Sequence, residues 1–221
     1  NFYIKKNFES KIKLFKNKKL IIIIIGKVTE YKNKKFQFNE FVENYEKLNL
    51  RSLKKYISNL KGDFNLIIYE KLKNKLFFAR DIEGLLPLYY KITGNFFFIS
   101  DTPKNLIFNN SKIDIKFCKS YIFSRYNFVY GKKDTFIKQI KFVEAASYVE
   151  FSKNKIVNKR YWDGSLLKIN HKIDYEKAKK KTITLLKKKF KKSDIKKNIL
   201  ALSGGLDSAS VAAIFKLNKQ P

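Results

Sequence analysis

Apolar and polar positions follow two different periods along this chain, and each change of period marks a new element. Residues 11–15 alternate apolar with basic, and residues 19–28 form a nearly continuous aliphatic run. Both predict strands, the second buried on two faces. Between residues 39 and 60, Phe41, Val42, Tyr45, Leu48, Leu53, Tyr56, Ile57 and Leu60 fall at helical spacing. Gly62 reads as the stop just past that helix. Strand patterning returns at residues 64–70, 75–80 and 96–100, with turns at 71–74 and 93–95. Short helices are expected at 102–107 and 115–124, a strand near Phe136, and a hairpin from 148–151 and 156–159 turning at 152–155. Residues 164–171 are polar and irregular, a linker.

Beyond the linker the character changes. Residues 174–192 predict one Lys-rich helix with Tyr175, Ala178, Ile183, Leu186 and Phe190 facing inward and the ammonium groups in solvent. A short strand at 198–202, a glycine turn and a helix at 208–217 follow. The pattern divides the chain into a first domain over residues 1–165 and a second over 170–221.

Composition narrows the classes. The 221 residues carry 49 Lys+Arg against 19 Asp+Glu, a formal charge of +30, yet 44% are hydrophobic and 16% aromatic. That is enough apolar material for a packed core and excludes wholesale disorder. Only Arg51, Arg80, Arg125 and Arg160 are arginines; the remaining basic residues are lysines spread over the whole length. Lys, Ile, Asn and Phe have AT-rich codons, so codon bias accounts for the charge better than a specific nucleic-acid partner, which would use clustered arginines. The longest aliphatic run, Leu20 to Ile25, has six residues, where a membrane span needs about twenty. No secretory signal opens the chain. Cys118 stands alone, as does His171, which excludes an internal disulfide and a Cys- or His-based zinc centre. The expectation is a cytoplasmic protein without a membrane partner, with Cys118 as a buried free thiol on a helix. There is no methionine, even at position 1, so a fragment or a processed piece is expected.

The most informative stretch is Ser203-Gly204-Gly205-Leu206-Asp207-Ser208, placed between a predicted strand and a predicted helix. Two glycines let main-chain N–H groups approach an anion, and the helix start adds its positive end. Ser203 and Ser208 bring hydroxyl donors, and Asp207 can hold the Mg²⁺ that accompanies a pyrophosphate. No Lys follows the glycines, so this is not the usual P-loop.

This S-G-G-x-D-S motif resembles the pyrophosphate loop of the ATP-pyrophosphatase (PP-loop) superfamily. The resemblance implies ATP and Mg²⁺ as cofactors, with Ser203 to Ser208 on the β,γ-pyrophosphate, Asp207 on the metal, and Ala201 and Leu202 beside the adenosine. Upstream, Gly62-Asp63-Phe64, the run Leu76 to Tyr90 with Ala79-Arg80-Asp81, Gly84, Pro87 and Tyr89-Tyr90, and then Phe98-Ile99-Ser100-Asp101 look like the amidotransferase domain of asparagine synthetases. Tyr161-Trp162-Asp163 and Ser193-Asp194 occupy matching places. Arg80 and Asp81 are expected to form an internal pair, and Gly84 and Pro87 to shape a turn.

The implied fold is an α+β four-layer αββα Ntn-type sandwich followed by the beginning of an α/β PP-loop (adenine nucleotide α-hydrolase-like) domain. The implied function is a ligase that adenylates a carboxylate with ATP, releasing pyrophosphate and then AMP as an amide forms. Its expected partner is a small-molecule or peptide carboxylate, with a homodimer left open. The family's glutaminase uses an N-terminal Cys, whereas this chain begins with Asn1, so no catalytic residue is assigned. The N-G-E-I segment aligns with Ile25-Gly26-Lys27-Val28, and Ile25 replaces the Asn that donates to the oxyanion. Phe38 replaces the Asp that holds the glutamine amine. Ile25, Gly26, Lys27 and Phe38 thus mark a degenerate glutamine site in an N-terminally incomplete and inactive first domain. The second domain is expected to be C-terminally truncated, and the fragment alone inactive. Relatives with a degenerate first domain, the β-lactam synthetases and lasso-peptide cyclases, offer an alternative in which the substrate's own amine closes a ring. An RNA-modifying PP-loop enzyme and a non-catalytic scaffold are further alternatives.

Overall fold

The computed structural model describes residues 2–5, 12–47, 53–94, 96–124, 133–152, 155–191 and 200–217. The chain divides into two compact units, residues 1–166 and 167–221.

Two stacked sheets make the first unit. The larger takes strands β2 (Ile12–Lys16), β3 (Leu20–Tyr31), β4 (Lys34–Lys35), β5 (Leu60–Glu70), β6 (Lys75–Arg80), β10 (Ser147–Ser152) and β11 (Lys155–Arg160). Its order is β11-β10-β6-β5-β3-β2, with β4 paired to β3. The smaller sheet takes β1 (Phe2–Lys5), β7 (Tyr89–Thr93), β8 (Phe96–Ser100) and β9 (Ile140–Phe142) in the order β1-β8-β7-β9. Neighbours are antiparallel except β1 and β8.

Strict alternation sorts each strand's side chains onto two cores. Ile22, Ile24, Phe64, Leu66, Ile68, Phe77 and Ala79 pack with Phe41, Val42 and Tyr45 of α1 (Phe38–Lys47) and Tyr56 and Ile57 of α2 (Leu53–Ser58). Ile23, Ile67, Leu76, Phe78 and Val149 pack with Leu88, Tyr90, Ile99 and Val143 between the sheets. Outside the smaller sheet lies a 3-10 turn, Pro103–Leu106, with Leu106 buried. Helix α3 (Ile115–Ile122) is capped by Asp114, whose carboxylate accepts from the Phe117 N–H. This helix, sheet, sheet and outer layer order is an α+β Ntn-type arrangement.

Several expectations change. The helix expected over 39–60 is two helices, with residues 48–52 outside the described set. Gly62 is not its stop but lies inside β5 with φ +129°, and a Cβ there would fall 2.2 Å from the Lys27 carbonyl oxygen. The segment 102–107 closes only a 3-10 turn, which ends where Ile107 takes an extended conformation. The strand near Phe136 lies further on, at β9, and Phe136 instead meets Phe117 and Tyr121 edge-on. Cys118 is half-buried rather than buried. Strand β7 (Tyr89–Thr93) has no counterpart among the strands expected from the sequence. Asn1, Arg51, Asn95, Arg125, Ser193-Asp194 and the tip of the β10–β11 hairpin lie outside the described residues.

In the second unit α4 (Tyr175–Lys191) is capped by Asp174, which accepts from the Lys177 N–H at 2.8 Å. It meets α5 (Leu206–Leu217) through Phe190 and Phe215, 5.3 Å between ring centroids. Tyr175, Ile183 and Leu186, expected inward, are exposed. The expected strand at 198–202 is absent from Leu200 to Leu202, while Asn198 and Ile199 lie outside the described residues. A strand needs a neighbour for its ladder, and the second unit has none among its described residues.

Candidate functional site

At one end of the sandwich β3, β5 and β6 converge with the loop that leads to β7. Asp81, buried, accepts from the N–H groups of Phe64 (3.3 Å), Glu83 (2.9 Å) and Gly84 (2.7 Å). Arg80, also buried, donates Nε to Leu86 O at 2.8 Å, Nη1 to Val143 O at 2.5 Å and Nη2 to Gly84 O. Its guanidinium carbon stands 4.5 Å from the Phe142 ring centroid. The expected Arg80–Asp81 contact is therefore replaced: the guanidinium goes to carbonyls, and Asp81 acts on it through charge. Burial pulls the Arg80 pKa down and Asp81 pulls it back up.

The same knot shapes the loop. Gly84 takes φ +65°, and a Cβ would meet the Ala145 Cβ at 2.6 Å. The Asn65 side chain donates to Pro87 O at 3.1 Å. Ala146, at φ +54°, is held by its N–H on Asp81 O and its carbonyl on the Tyr161 N–H, both 2.8 Å. These bonds hold Leu86 over Gly26, where a Cβ would fall 2.5 Å from Leu86 Cδ1 and 2.3 Å from Asp63 O. Gly26, at φ +100°, is thus a point of closest approach between β3 and the covering loop.

Around it the proposed glutamine positions separate. Ile25 is half-buried against the inter-sheet core, and Phe38 packs on the opposite, helix-side core. Lys27 is exposed. The Lys13 ammonium lies over the Phe36 and Phe38 rings, 5.2 and 5.9 Å from their centroids. Both Ile25 and Phe38 are hydrocarbon side chains packed against a core, Ile25 on the inter-sheet side and Phe38 on the helix side.

In the second unit the loop from Ser203 to Ser208 has a definite shape. Gly204 sits at φ +79° with open space where a Cβ would project. The Ser203 and Ser208 hydroxyl oxygens are 3.2 Å apart, and Ser208 donates to Gly205 O at 3.1 Å. Helix α5 starts at Leu206, two residues earlier than its sequence signal, so Asp207 falls in its first turn. Ala201, Leu202, Ser203, Gly204, Gly205, Leu206 and Asp207 are exposed, and Ser208 is half-buried. The loop is closed on itself: the Ser203 N–H donates to the Ser208 hydroxyl at 3.3 Å and the Gly205 N–H to the Ser203 hydroxyl at 3.4 Å. One carboxylate suits Mg²⁺ only when phosphate oxygens and water fill the other positions. Among the described residues no three Asp, Glu, His or Cys side chains gather for a metal.

The glutamine amidotransferase domain family matches residues 25–162, more than half of the chain and the whole converging end of the sandwich. The chain belongs to that family. It is also 27% identical to a Methanocaldococcus jannaschii protein named "Putative asparagine synthetase (glutamine-hydrolyzing) 2", a match covering 89% of this chain and 40% of that protein. The chain therefore spans about two fifths of that relative's length. Two solved structures superpose loosely at 12% identity. One is the glutamine phosphoribosylpyrophosphate amidotransferase from B. subtilis complexed with ADP and GMP, at a TM-score of 0.37 over 71% of this chain and 32% of that one. The other is titled an allosteric regulatory enzyme of purine biosynthesis, at 0.38 over 67% and 30%.

This glutamine amidotransferase domain, of the asparagine synthetase kind, owes its end loop to residues whose roles the motif alone does not disclose. Arg80 and Asp81 are frame residues that hold carbonyls and N–H groups. A buried ammonium has no counterpart among the residues expected from the sequence: Lys91 is 1% exposed, 4.1 Å from the Phe108 ring centroid, with Leu106 O and the Ser111 hydroxyl at 3.4 and 3.3 Å. Its sequence signal was a Lys within an apolar strand, opposite Phe98 on β8. No helix among the described residues is long and apolar enough to cross a membrane.

Proposed function

We propose that this chain belongs to an asparagine-synthetase-like ligase that activates a carboxylate with ATP and forms an amide without hydrolysing glutamine in its first unit. The observation that carries the reading is one chain in which an amidotransferase domain precedes a loop shaped as an anion cradle at a helix start. A carboxylate oxygen attacks the α-phosphorus of ATP, and pyrophosphate leaves into the cradle of Ser203, Gly204, Gly205 and Ser208. An amine nitrogen then attacks the acyl carbon, loses a proton, and AMP departs. Asp207 would hold part of the coordination shell of a Mg²⁺ ion, which would supply positive charge against the leaving pyrophosphate.

Ile25 and Phe38 argue that the amine does not come from glutamine through this domain. Free ammonia is the first source and yields asparagine from aspartate in the family's usual substrate. The substrate's own amine is the second, favoured by the same two residues, and would make the enzyme a cyclase.

The test uses the complete open reading frame, purified and assayed for ATP–pyrophosphate exchange and for ammonia release from glutamine. Carboxylate-dependent exchange that disappears in Asp207→Ala, with no ammonia released from glutamine, supports the reading. Exchange that survives Asp207→Ala, or ammonia released with Ile25 and Phe38 in place, overturns it.

A further inference from the structure

We draw no further inference here: the strongest candidate, the exposed apolar face of α3 and its flanks formed by Ile113, Ile115, Ile122 and Phe123, carries nothing because nothing in the structure shows what covers it.

Discussion

Tyr161 donates its hydroxyl to the main-chain carbonyl of Arg80 at 2.7 Å, across 81 positions of chain. Both residues are buried. The bond ties the exit of the β10–β11 hairpin to the strand end from which the Arg80 guanidinium and Asp81 organise the covering loop. Burial holds the Tyr161 phenol well above its ordinary pKa, with the Asp81 charge adding to it, so the hydroxyl stays a donor at all physiological pH. Tyr161→Phe should therefore cost about 1–2 kcal/mol, the price of an orphaned buried carbonyl. A urea midpoint that falls with an unchanged slope would confirm it; an unchanged midpoint would show the bond to be dispensable.

Gly26 and Gly62 stand two ladder rungs apart on adjacent strands, each at positive φ, and each with the other strand's carbonyl where its Cβ would go. Neither clash can be relieved by a side-chain rotation, because the obstructing atoms are main chain. Gly26→Ala and Gly62→Ala are each expected to destabilise by about 3 kcal/mol or more. The check is thermal unfolding of both variants beside Gly94→Ala, whose Cβ meets nothing within 4 Å and whose cost should be limited to its turn conformation.

Lys91 predicts a pH dependence. Burial lowers its pKa, so the unfolded chain binds more protons than the folded chain between the lowered value and the ordinary one. In that window stability rises with pH. The penalty of burying the charge is complete below the lowered pKa and fades above it. Lys91→Met should then raise stability by about 1 kcal/mol at neutral pH, and the advantage should shrink as pH approaches that of free lysine. Melting curves of both proteins from pH 7 to 10 provide the test, and a gap that is constant across the range would exclude the mechanism.

Gly204 separates conformation from packing in the anion cradle. Its Cβ position is open, so Gly204→Ala meets only the cost of φ +79°, about 1–2 kcal/mol confined to an exposed loop. The expected result is an unchanged melting temperature for the first unit together with weaker pyrophosphate binding. Undiminished pyrophosphate affinity would remove the loop's assigned role.

Much of the frame was legible in advance. The ladder strands β2, β3, β5, β6, β8, β10 and β11 all follow from apolar runs or alternation between 12 and 160: central β3, β5 and β6 carry the long buried apolar runs, while the edge strands β2 and β11 are largely exposed and mix apolar with basic residues. The amidotransferase family followed from residues around Arg80, since a loop with Asp81, Gly84 and Pro87 in fixed spacing leaves a mark that helices and strands do not. Element ends were less readable. Gly62 resembles a helix stop in one dimension, and only the approach of β3 shows it to be a contact point. Strand β9 has three residues and no period of its own.

The sequence by itself determined the period of the longer strands and helices and the side-chain type at every position, because backbone preference and side-chain type are local properties. Tertiary structure alone decided which groups meet. The carbonyls gathered by Arg80 and the ring over the buried Lys91 come from residues between 4 and 63 positions away. Register between strands, which turns a side chain to one core or the other, has no local signature in the chain.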